Sequence, residues 1–507
     1  MIEDNSSERI VIKDGHVIDP AQGIDRIADV LIEGGRIARV GDGAMPEEAE
    51  VVDATGHYVS PGFVDVHIHA YGTLGFADPD SLGIWQGVTS FVEAGGPGIG
   101  TFGEFLALLE GRTITDLYAG LWLRPIGLIG VNYIEGDARS LMEISIAKWM
   151  DAVADHGDVL RYVKIGAFGR YGTGPIKIGK GLAEILDIPA YYHIGEFQEV
   201  PPQITTAEVF RAAGPGDMIT HVYHGNPGGT LDEDGKLLDV VREAEQRGVL
   251  FDIGFGGYNF SWRVAERAFA QGLIPHIISS DLQQHNVNGP VYSLANVMSA
   301  ILHLGLTLNE VIERVTITPA RAISIDDRAG SLGPGMPADV TVFKVVEGEV
   351  ELADCQLQSR TAERTIVPVM AFKNGVRYNT DLMRCRDEKN WFWQVSEDVV
   401  PKRATVLGTR QREFLAALAA RLEPETWRIE SAERLDIYAA INLQDLFHEV
   451  RDGVGLPLRD ALEAVYASFL TSPFTMQIGL FLFRLDKDFA IERLRTVSGA
   501  PETVAAE

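Results

Sequence analysis

The 507-residue sequence predicts an α/β fold: a (β/α)8 (TIM) barrel, a small β-sandwich built from both flanking segments, and an appended C-terminal helical domain. Three observations support this prediction. Side chains that bind metals recur at the ends of apolar segments, at steps of about 30 residues, the length of one strand–helix unit. Alternating apolar and polar segments flank this region on both sides. The remaining C-terminal sequence has helical periodicity instead.

Both flanks contain short alternating runs that are broken by Asp-Gly and Gly-Gly turns. The N-terminal runs are RIVIKDGHVID, ADVLIEGGRIARVG and EVVDATGHYVSPG, and the pattern returns in GSLGPGMPADVTVFKV and ERTIVPVMAFKNGVRY. Period-two alternation with such turns indicates antiparallel strands. We therefore predict one β-sandwich domain made from residues 1–60 and 325–381 together.

Eight near-continuous apolar segments lie between the flanks, within residues 61–324. Amphipathic stretches such as TLDEDGKLLDVVREAEQRG and NFSWRVAERAFAQG separate most of them. Apolar strands that alternate with helices form a parallel sheet buried on both faces. We predict eight barrel strands at 62–69, 88–96, 118–130, 160–168, 188–196, 217–225, 249–257 and 275–282.

The sequence changes character after Asp381. The charged and aromatic stretch RCRDEKNWFWQVSEDVVPKR leads us to interpret residues 382–408 as a connector. In residues 409–507, the stretches REFLAALAARL, SAERLDIYAAINLQDLFHEV, LRDALEAVYASFL and DFAIERLR predict a helical extension of about four helices. We expect this extension to serve packing or oligomerisation. A module that shapes the mouth of the active site is the alternative.

Composition and charge argue against several classes of protein. Asp and Glu number 72 against 44 Lys and Arg, a net charge of −28, which disfavours nucleic acid and anionic membranes as partners. Cys355 and Cys385 lack a Cys-x-x-Cys spacing, which favours a reducing compartment. The N-terminus has no signal pattern, and the apolar stretch from Met476 to Phe483 is too short to span a bilayer. We expect a soluble cytoplasmic homo-oligomer that acts on a small-molecule substrate.

Candidate metal ligands lie at the ends of the predicted strands. On a strand, residues i and i+2 face the same side, so the two histidines of HIH both point towards the barrel mouth. Side chains at the C-terminal ends of the other strands converge on the same mouth. Neutral imidazoles suit a borderline cation such as Zn²⁺. The predicted ligands are His67, His69, Lys164, His193, His221 and Asp281.

Lys164 is the unusual member of this set, because a protonated amine repels a cation. A buried lysine with a lowered pKa can react with carbon dioxide to form a carbamate, which is a carboxylate. An unmodified amine that binds substrate or pairs with an acid is the alternative. Asp281 could bind metal and take a proton from a metal-activated water, or it could cap a helix.

Further candidates lie beside the mouth. His224 follows His221 by three residues, which makes the ligand of the sixth strand ambiguous. We favour His221 as the ligand, and we expect His224 either to support the ligands or to contact the substrate. The other predicted substrate contacts could equally be parts of loops; they are Arg170, Tyr171, Glu196 and Tyr258.

An ordered set of short motifs resembles the amidohydrolase superfamily. PGFVDVHIH, VKIGAF, HIGE, HVYHG and SSDL occur in the order found in that superfamily. HIGE, THVYHGNPGG, FDIGFGGYNFSW and IISSDL together are similar to its deacetylase-like branch, which is related to the dihydroorotases. The resemblance covers roughly residues 8–381.

The resemblance implies a binuclear centre with two divalent ions, for which we expect Zn²⁺. His67 and His69 would bind one ion, His193 and His221 the other, and a carbamate on Lys164 would bridge them. Asp281 would act as general acid and base while a metal-bridging hydroxide attacks the substrate carbonyl. The implied reaction is hydrolysis of an amide or ester of a small acyl compound, of the deacylase or deacetylase type.

Two alternatives stay open. A cyclic-amide hydrolase of the hydantoinase or dihydroorotase type would use the same ligands. A catalytically silent barrel scaffold would have lost ligands, whereas all the predicted ones are present in this sequence.

Overall fold

The structure is a computed structural model, and it describes most of the chain. Three of the predicted substrate contacts, Arg170, Tyr171 and Glu196, lie outside the described residues. The described residues are 9–41, 43, 46, 48–71, 77–109, 113–128, 144–166, 172–195, 205–284, 286–356, 358–387, 395–425, 437–471 and 478–499.

The N-terminal flank consists of short strands joined by tight turns. Antiparallel pairing of the first two strands follows the alternation seen in the sequence, with a register shift between Ile12 and Gly15. The strands are β1 (Arg9–Asp19), β2 (Ile24–Glu33), β3 (Arg36–Val40), β4 (Glu50–Asp53) and β5 (Tyr58–Pro61).

Seven parallel strands then form a curled sheet in chain order. They are β6 (Phe63–Ile68), β7 (Val88–Gly98), β8 (Asp116–Trp122), β9 (Leu160–Gly166), β10 (Ala190–His193), β11 (Met218–Thr220) and β12 (Leu250–Phe251). Parallel bridges join Ile277 to Asp252 and Leu282 to Ile68, so the eighth predicted segment links the two edges of the sheet. Every residue of β7 and β9 is buried, because helices cover the outside and side chains fill the inside. The core is a TIM barrel, as predicted.

The helices of the barrel follow the amphipathic segments of the sequence. Two of them begin with a capping box, Thr205 with Glu208 and Thr307 with Glu310. The helices are α1 (Pro79–Leu82), α2 (Phe102–Leu109), α3 (Ile146–His156), α4 (Gly174–Leu186), α5 (Thr206–Ala212), α6 (Asp239–Gln246), α7 (Trp262–Ala270), α8 (Leu294–Leu304), α9 (Leu308–Glu313) and α10 (Ile317–Ala322).

Three strands after the barrel complete the N-terminal sheet. They are β13 (Val340–Ala353), β14 (Ser359–Lys373) and β15 (Val376–Asn379). The sheet order is β15-β14-β13-β5-β1-β2-β3, with β4 paired to β1. The two flanks meet where β13 runs antiparallel to β5, with Val342 opposite Val59. The two-layer form of the sandwich and the domain boundaries stay predictions.

The C-terminal extension contains five helices within the described residues, against the expected four. They are α11 (Thr409–Leu422), α12 (Ile437–Val454), α13 (Leu458–Phe469), α14 (Ile478–Arg484) and α15 (Lys487–Ser498). The additional helix is α14, whose sequence IGLFLFR is apolar almost throughout and too short to show a polar face. Within the described residues, none of the helices combines the length and apolar character needed to cross a membrane.

Candidate metal centre

His67 and His69 lie at the end of β6, as the HIH spacing predicts, and both are buried. Their Nε2 atoms lie 3.4 and 3.0 Å from Oδ1 of Asp281. Asp281 adopts a left-handed backbone conformation with φ of 49°. Its backbone N–H donates to the carbonyl of His67, at 2.7 Å, so the last barrel segment holds Asp281 against β6.

Lys164 reaches the same place from β9. Its Nζ lies 3.2 Å from Nε2 of His67 and 4.0 Å from the ring centre of Tyr191, its neighbour on β10. Burial lowers the pKa of Lys164 to about 7, although the charges of Asp281 and Asp252 act in the opposite direction. Much of the amine is therefore neutral at neutral pH, as carbamate formation requires.

His193 is the last residue of β10, and His221 directly follows β11, so both lie at the mouth of the barrel. Nε2 of His221 and Nδ1 of His193 are 2.9 Å apart, and Nδ1 of His221 donates to the carbonyl of Gly254 at 2.6 Å. Burial lowers the pKa of both imidazoles well below the usual value, and the nearby Lys164 acts in the same direction. These lowered pKa values favour the neutral imidazole, which is the form that binds metals.

The arrangement fits a divalent cation. Donor atoms of His67, His221 and Asp281 all lie within 4.8 Å of one another, and all three residues are buried. Imidazole nitrogen and carboxylate oxygen are ligands that suit zinc and similar ions. The structure therefore gathers donors from three separate barrel segments at one point.

A buried carboxylate that the sequence analysis did not single out supports His67. Oδ2 of Asp252 accepts hydrogen bonds from the hydroxyls of Tyr191, at 2.5 Å, and Thr220, at 2.6 Å. Nδ1 of His67 lies 3.1 and 3.3 Å from these same hydroxyl oxygens. Since both hydroxyl protons go to Asp252, Nδ1–H of His67 donates to the hydroxyl oxygens. Nε2 of His67 therefore keeps its lone pair for a metal.

Glu93, on β7, supports His69. Oε1 of Glu93 lies 3.3 Å from Nδ1 of His69, while Oε2 accepts from the backbone N–H groups of Ala70, at 2.5 Å, and Tyr71, at 2.7 Å. Burial lowers the pKa of His69, but hydrogen bonds to Asp281 and Glu93 outweigh it and raise the pKa to about 9. Without a metal, His69 is protonated at neutral pH.

Asp65 connects β6 to the last barrel segment. Its carboxylate accepts from the hydroxyl of Ser280, at 2.5 Å, from the backbone N–H of Ser280, at 3.1 Å, and from that of His67, at 3.2 Å. Burial raises the pKa of Asp65 to about 7. Asp65 therefore fixes the backbone beside both His67 and Asp281.

The model of the amidohydrolase family matches residues 58–377, which is more than half of the chain and includes all the residues of the candidate metal centre. The chain belongs to the amidohydrolase family. Members of this family are metal-dependent hydrolases that act on C–N bonds in small molecules, so the predicted enzyme class is confirmed. Residues after 377, which include the whole C-terminal extension, lie outside the matched range.

Individual relatives agree with this membership. A deacetylase of Agrobacterium fabrum is 36% identical over 334 residues, which cover 64% of this amidohydrolase and 80% of the relative. A crystal structure of a dihydroorotase has a TM-score of 0.66 at 31% identity, over 73% of this chain and 99% of the other. An adenine deaminase structure has the same TM-score at 28% identity, with the same coverage.

The amidohydrolase brings the six predicted ligands to one mouth, and their ligand roles stay predictions. The geometry favours His221 over His224, since His221 groups with His67 and Asp281. His224 is buried, its Nδ1 accepts from the backbone N–H of Asn226 at 3.2 Å, and burial lowers its pKa to about 4. Tyr258 is 58% exposed. Its role as a substrate contact also stays a prediction.

Asp65, Glu93 and Asp252 were missed, although the sequence carried a signal for them. Each is an acidic residue inside an apolar strand segment: FVDVHIH, SFVEAGG and LFDIGFGG. A charge in a strand buried on both faces is costly unless neighbouring groups donate hydrogen bonds to it. Such residues in a barrel strand therefore indicate groups that support a site.

Proposed function

We propose that this amidohydrolase is a metal-dependent deacylase that hydrolyses an amide or ester of a small acyl compound. The convergence of His67, His221 and Asp281 within 4.8 Å carries the proposal. Lys164, with Nζ 3.2 Å from His67, supplies a further donor at the same point. The deacetylase relative supports the choice of an acyl substrate.

Two divalent ions, with Zn²⁺ expected, would be held by two pairs of histidines, His67 with His69 and His193 with His221. When bound, such ions supply Lewis acidity and allow water to act as a nucleophile at neutral pH. The neutral amine of Lys164 would form a bond to the carbon of carbon dioxide and release one proton. The resulting carbamate would join the four histidines in holding the ions.

Asp281 would move the proton of the reaction. Its Oδ1 faces both histidines of β6, so it can accept a proton from the water that attacks the acyl carbon. As the bond from carbon to the leaving nitrogen or oxygen breaks, Asp281 would return this proton to the leaving atom. The side-chain amide of Gln283 donates to the same Oδ1 at 3.3 Å and helps to orient it.

A hydrolysis screen tests the proposal. Metal-replete enzyme would be assayed against linear N-acyl and O-acyl acids, with Asp281→Asn as the matched control that keeps side-chain size. We expect turnover of linear substrates, a loss of about 100-fold or more in Asp281→Asn, and near-normal metal content in that variant. Equal turnover by the variant, or no hydrolysis of any acyl compound, would reject the proposal.

A cyclic-amide hydrolase is the second candidate, supported by the likeness to a dihydroorotase structure. Its substrates would be dihydropyrimidine or hydantoin rings in place of linear acyl compounds. Assaying both sets side by side decides between the two. Higher kcat/KM on rings than on any linear compound would favour this candidate.

A further inference from the structure

Glu104, on α2 of the barrel, is a buried carboxylate that joins the barrel to the C-terminal extension. Its Oε2 accepts from the hydroxyl of Tyr71 at 3.1 Å and from the backbone N–H of Ile478, the first residue of α14, at 3.4 Å. Its Oε1 accepts from Nε2 of His448 at 2.9 Å and from the side-chain amide of Gln444, both on α12. Three of these four donors therefore come from the extension.

A buried carboxylate is costly unless hydrogen-bond donors surround it. Glu104 is 1% exposed, and Nε2 of His448 lies 2.9 Å from its Oε1. Since a carboxylate only accepts, Nε2 of His448 carries a proton. The backbone N–H of Gly479 in turn donates to Oε1 of Gln444 at 2.8 Å, which orients the amide towards Glu104. The extension thus supplies most of the hydrogen-bond donors that the buried carboxylate of Glu104 needs.

Glu104 is also connected to the candidate metal centre, through its contact with Tyr71. Tyr71 follows His69 by two residues and is itself buried, with its ring edge-on to Phe105 at 5.5 Å. Its hydroxyl is bound by Glu104, and its backbone N–H is bound by Glu93 at 2.7 Å. Oε1 of Glu93 lies 3.3 Å from Nδ1 of His69. A continuous set of contacts therefore runs from α12 to His69.

We infer that the C-terminal helical extension positions the metal-binding end of β6. His448 and Gln444 hold Glu104, Glu104 holds Tyr71, and Tyr71 with Glu93 fixes the orientation of His69. These are positioning residues, because none of them touches the reacting atoms. The inference rests on the proposed function, since it assumes that His69 binds a metal.

The extension thereby acts on the site itself, which neither packing nor oligomerisation would require. The extension lies outside the residues that match the family. The barrel of this chain therefore depends on contacts from helices that the family match does not include. Residues that support metal ligands commonly affect metal affinity about 10- to 100-fold. We expect a smaller effect here because Glu104 acts through Tyr71 and Glu93.

The test measures how fast a chelator removes Zn²⁺ from the full-length, metal-replete protein. Tyr71→Phe deletes one hydroxyl and keeps the ring, and Glu104→Gln keeps the shape while changing the charge. We expect both to release Zn²⁺ about 3- to 30-fold faster than the natural protein. Glu463→Gln is the matched control, because Glu463 of the extension pairs at 2.5 Å with Arg403, which precedes the extension, and neither belongs to the contacts described above. It should leave metal release unchanged.

Two variants of one residue test whether the extension itself participates. His448→Leu removes the donor to Glu104, and we expect it to release Zn²⁺ as fast as Glu104→Gln. His448→Gln supplies an N–H donor again and should restore slow release. If the His448 variants acted only by disturbing the packing of the extension, His448→Leu and His448→Gln would release Zn²⁺ at the same rate. Equal release rates from these two variants would therefore overturn the inference.

Failure of the inference is distinguishable from failure of the proposed function. If the natural protein holds Zn²⁺ and hydrolyses acyl substrates, but Tyr71→Phe and Glu104→Gln release metal at its rate, only the inference is overturned. If the natural protein holds no divalent metal after metal-replete expression, both fall.

Discussion

Asp252 and His67 face each other beneath the barrel mouth, with Oδ2 of the carboxylate 4.0 Å from Nδ1 of the imidazole. The hydroxyls of Tyr191 and Thr220 contact both groups. Burial raises the pKa of Asp252, whereas three hydroxyl donors, the third from Ser279 at 2.8 Å, lower it. The two hydroxyl groups donate their protons to Asp252, so their oxygens act as acceptors for Nδ1–H of His67.

We predict that Asp252→Asn weakens Zn²⁺ binding about 10- to 100-fold. The amide can no longer accept from every hydroxyl, so Tyr191 and Thr220 are free to donate to Nδ1 of His67 and favour the wrong tautomer. Competition with a chelator measures the affinity. Asp217→Asn is the control, because Asp217 is a buried barrel aspartate that accepts from the backbone of Ala190 at 3.0 Å. Equal affinities for the two variants would contradict the prediction.

His221 was predicted from the sequence and Asp252 was not, and the physical reason for the difference is clear. His221 could be predicted because it ends an apolar strand and is spaced regularly from the other ligands. The importance of Asp252 depends on Tyr191, Thr220 and Ser279, which come from separate segments. The sequence therefore marks Asp252 as an unusual acidic residue in an apolar strand, but no periodicity reveals which partners it contacts. The link from Glu104 to His448 spans an even longer separation, between the barrel and the extension.

Carbamate formation on Lys164 should depend on pH. Burial lowers the pKa of Lys164 to about 7, so the neutral amine, which is the reactive form, predominates above that pH. Metal-free protein mixed with isotopically labelled bicarbonate should gain a carbamate carbon signal at about pH 8 and much less at about pH 6. Carbon NMR provides the measurement.

Lys164→Ala is the control for this experiment and should give no carbamate signal. This variant should also lose metal, and a short carboxylic acid should restore binding by replacing the carbamate oxygens. If Lys164→Ala binds Zn²⁺ as tightly as the natural protein, the bridging role is excluded.

Metal uptake should release a proton from His69. The pKa of His69 is raised to about 9, chiefly by the hydrogen bond to Asp281 and despite burial, so the metal-free site holds this proton at neutral pH. Because a metal needs the lone pair of Nε2, the apparent affinity should rise with pH up to about 9 and level off above it. Calorimetric titration in buffers of different ionisation enthalpy counts the released protons.

Asp281→Asn removes the main hydrogen-bonding group that raises the pKa of His69. This variant should therefore release fewer protons per bound metal at neutral pH. An unchanged proton count in Asp281→Asn would show that the proton comes from another group.

Gly256 and Gly257 form a matched pair next to Asp281. Gly256 has φ of +56°, and a Cβ there would lie 2.3 Å from Oδ2 of Asp281 and 3.0 Å from Nδ2 of Asn259. At Gly257, the nearest atom to a Cβ is 3.6 Å away, on Asn286, which is an ordinary contact. Only Gly256 therefore lies where a side chain would displace the proposed proton carrier.

We predict that Gly256→Ala lowers kcat at least about tenfold, because a displacement near 1 Å at a catalytic group has large effects on rate. It should also lower the free energy of unfolding by about 1 kcal/mol or more, since alanine is strained at positive φ. Gly257→Ala should retain nearly natural kcat and stability. Steady-state kinetics and urea unfolding of the metal-replete proteins measure both effects. Similar kcat for the two variants would mean that the close approach of Gly256 to Asp281 has no role in turnover.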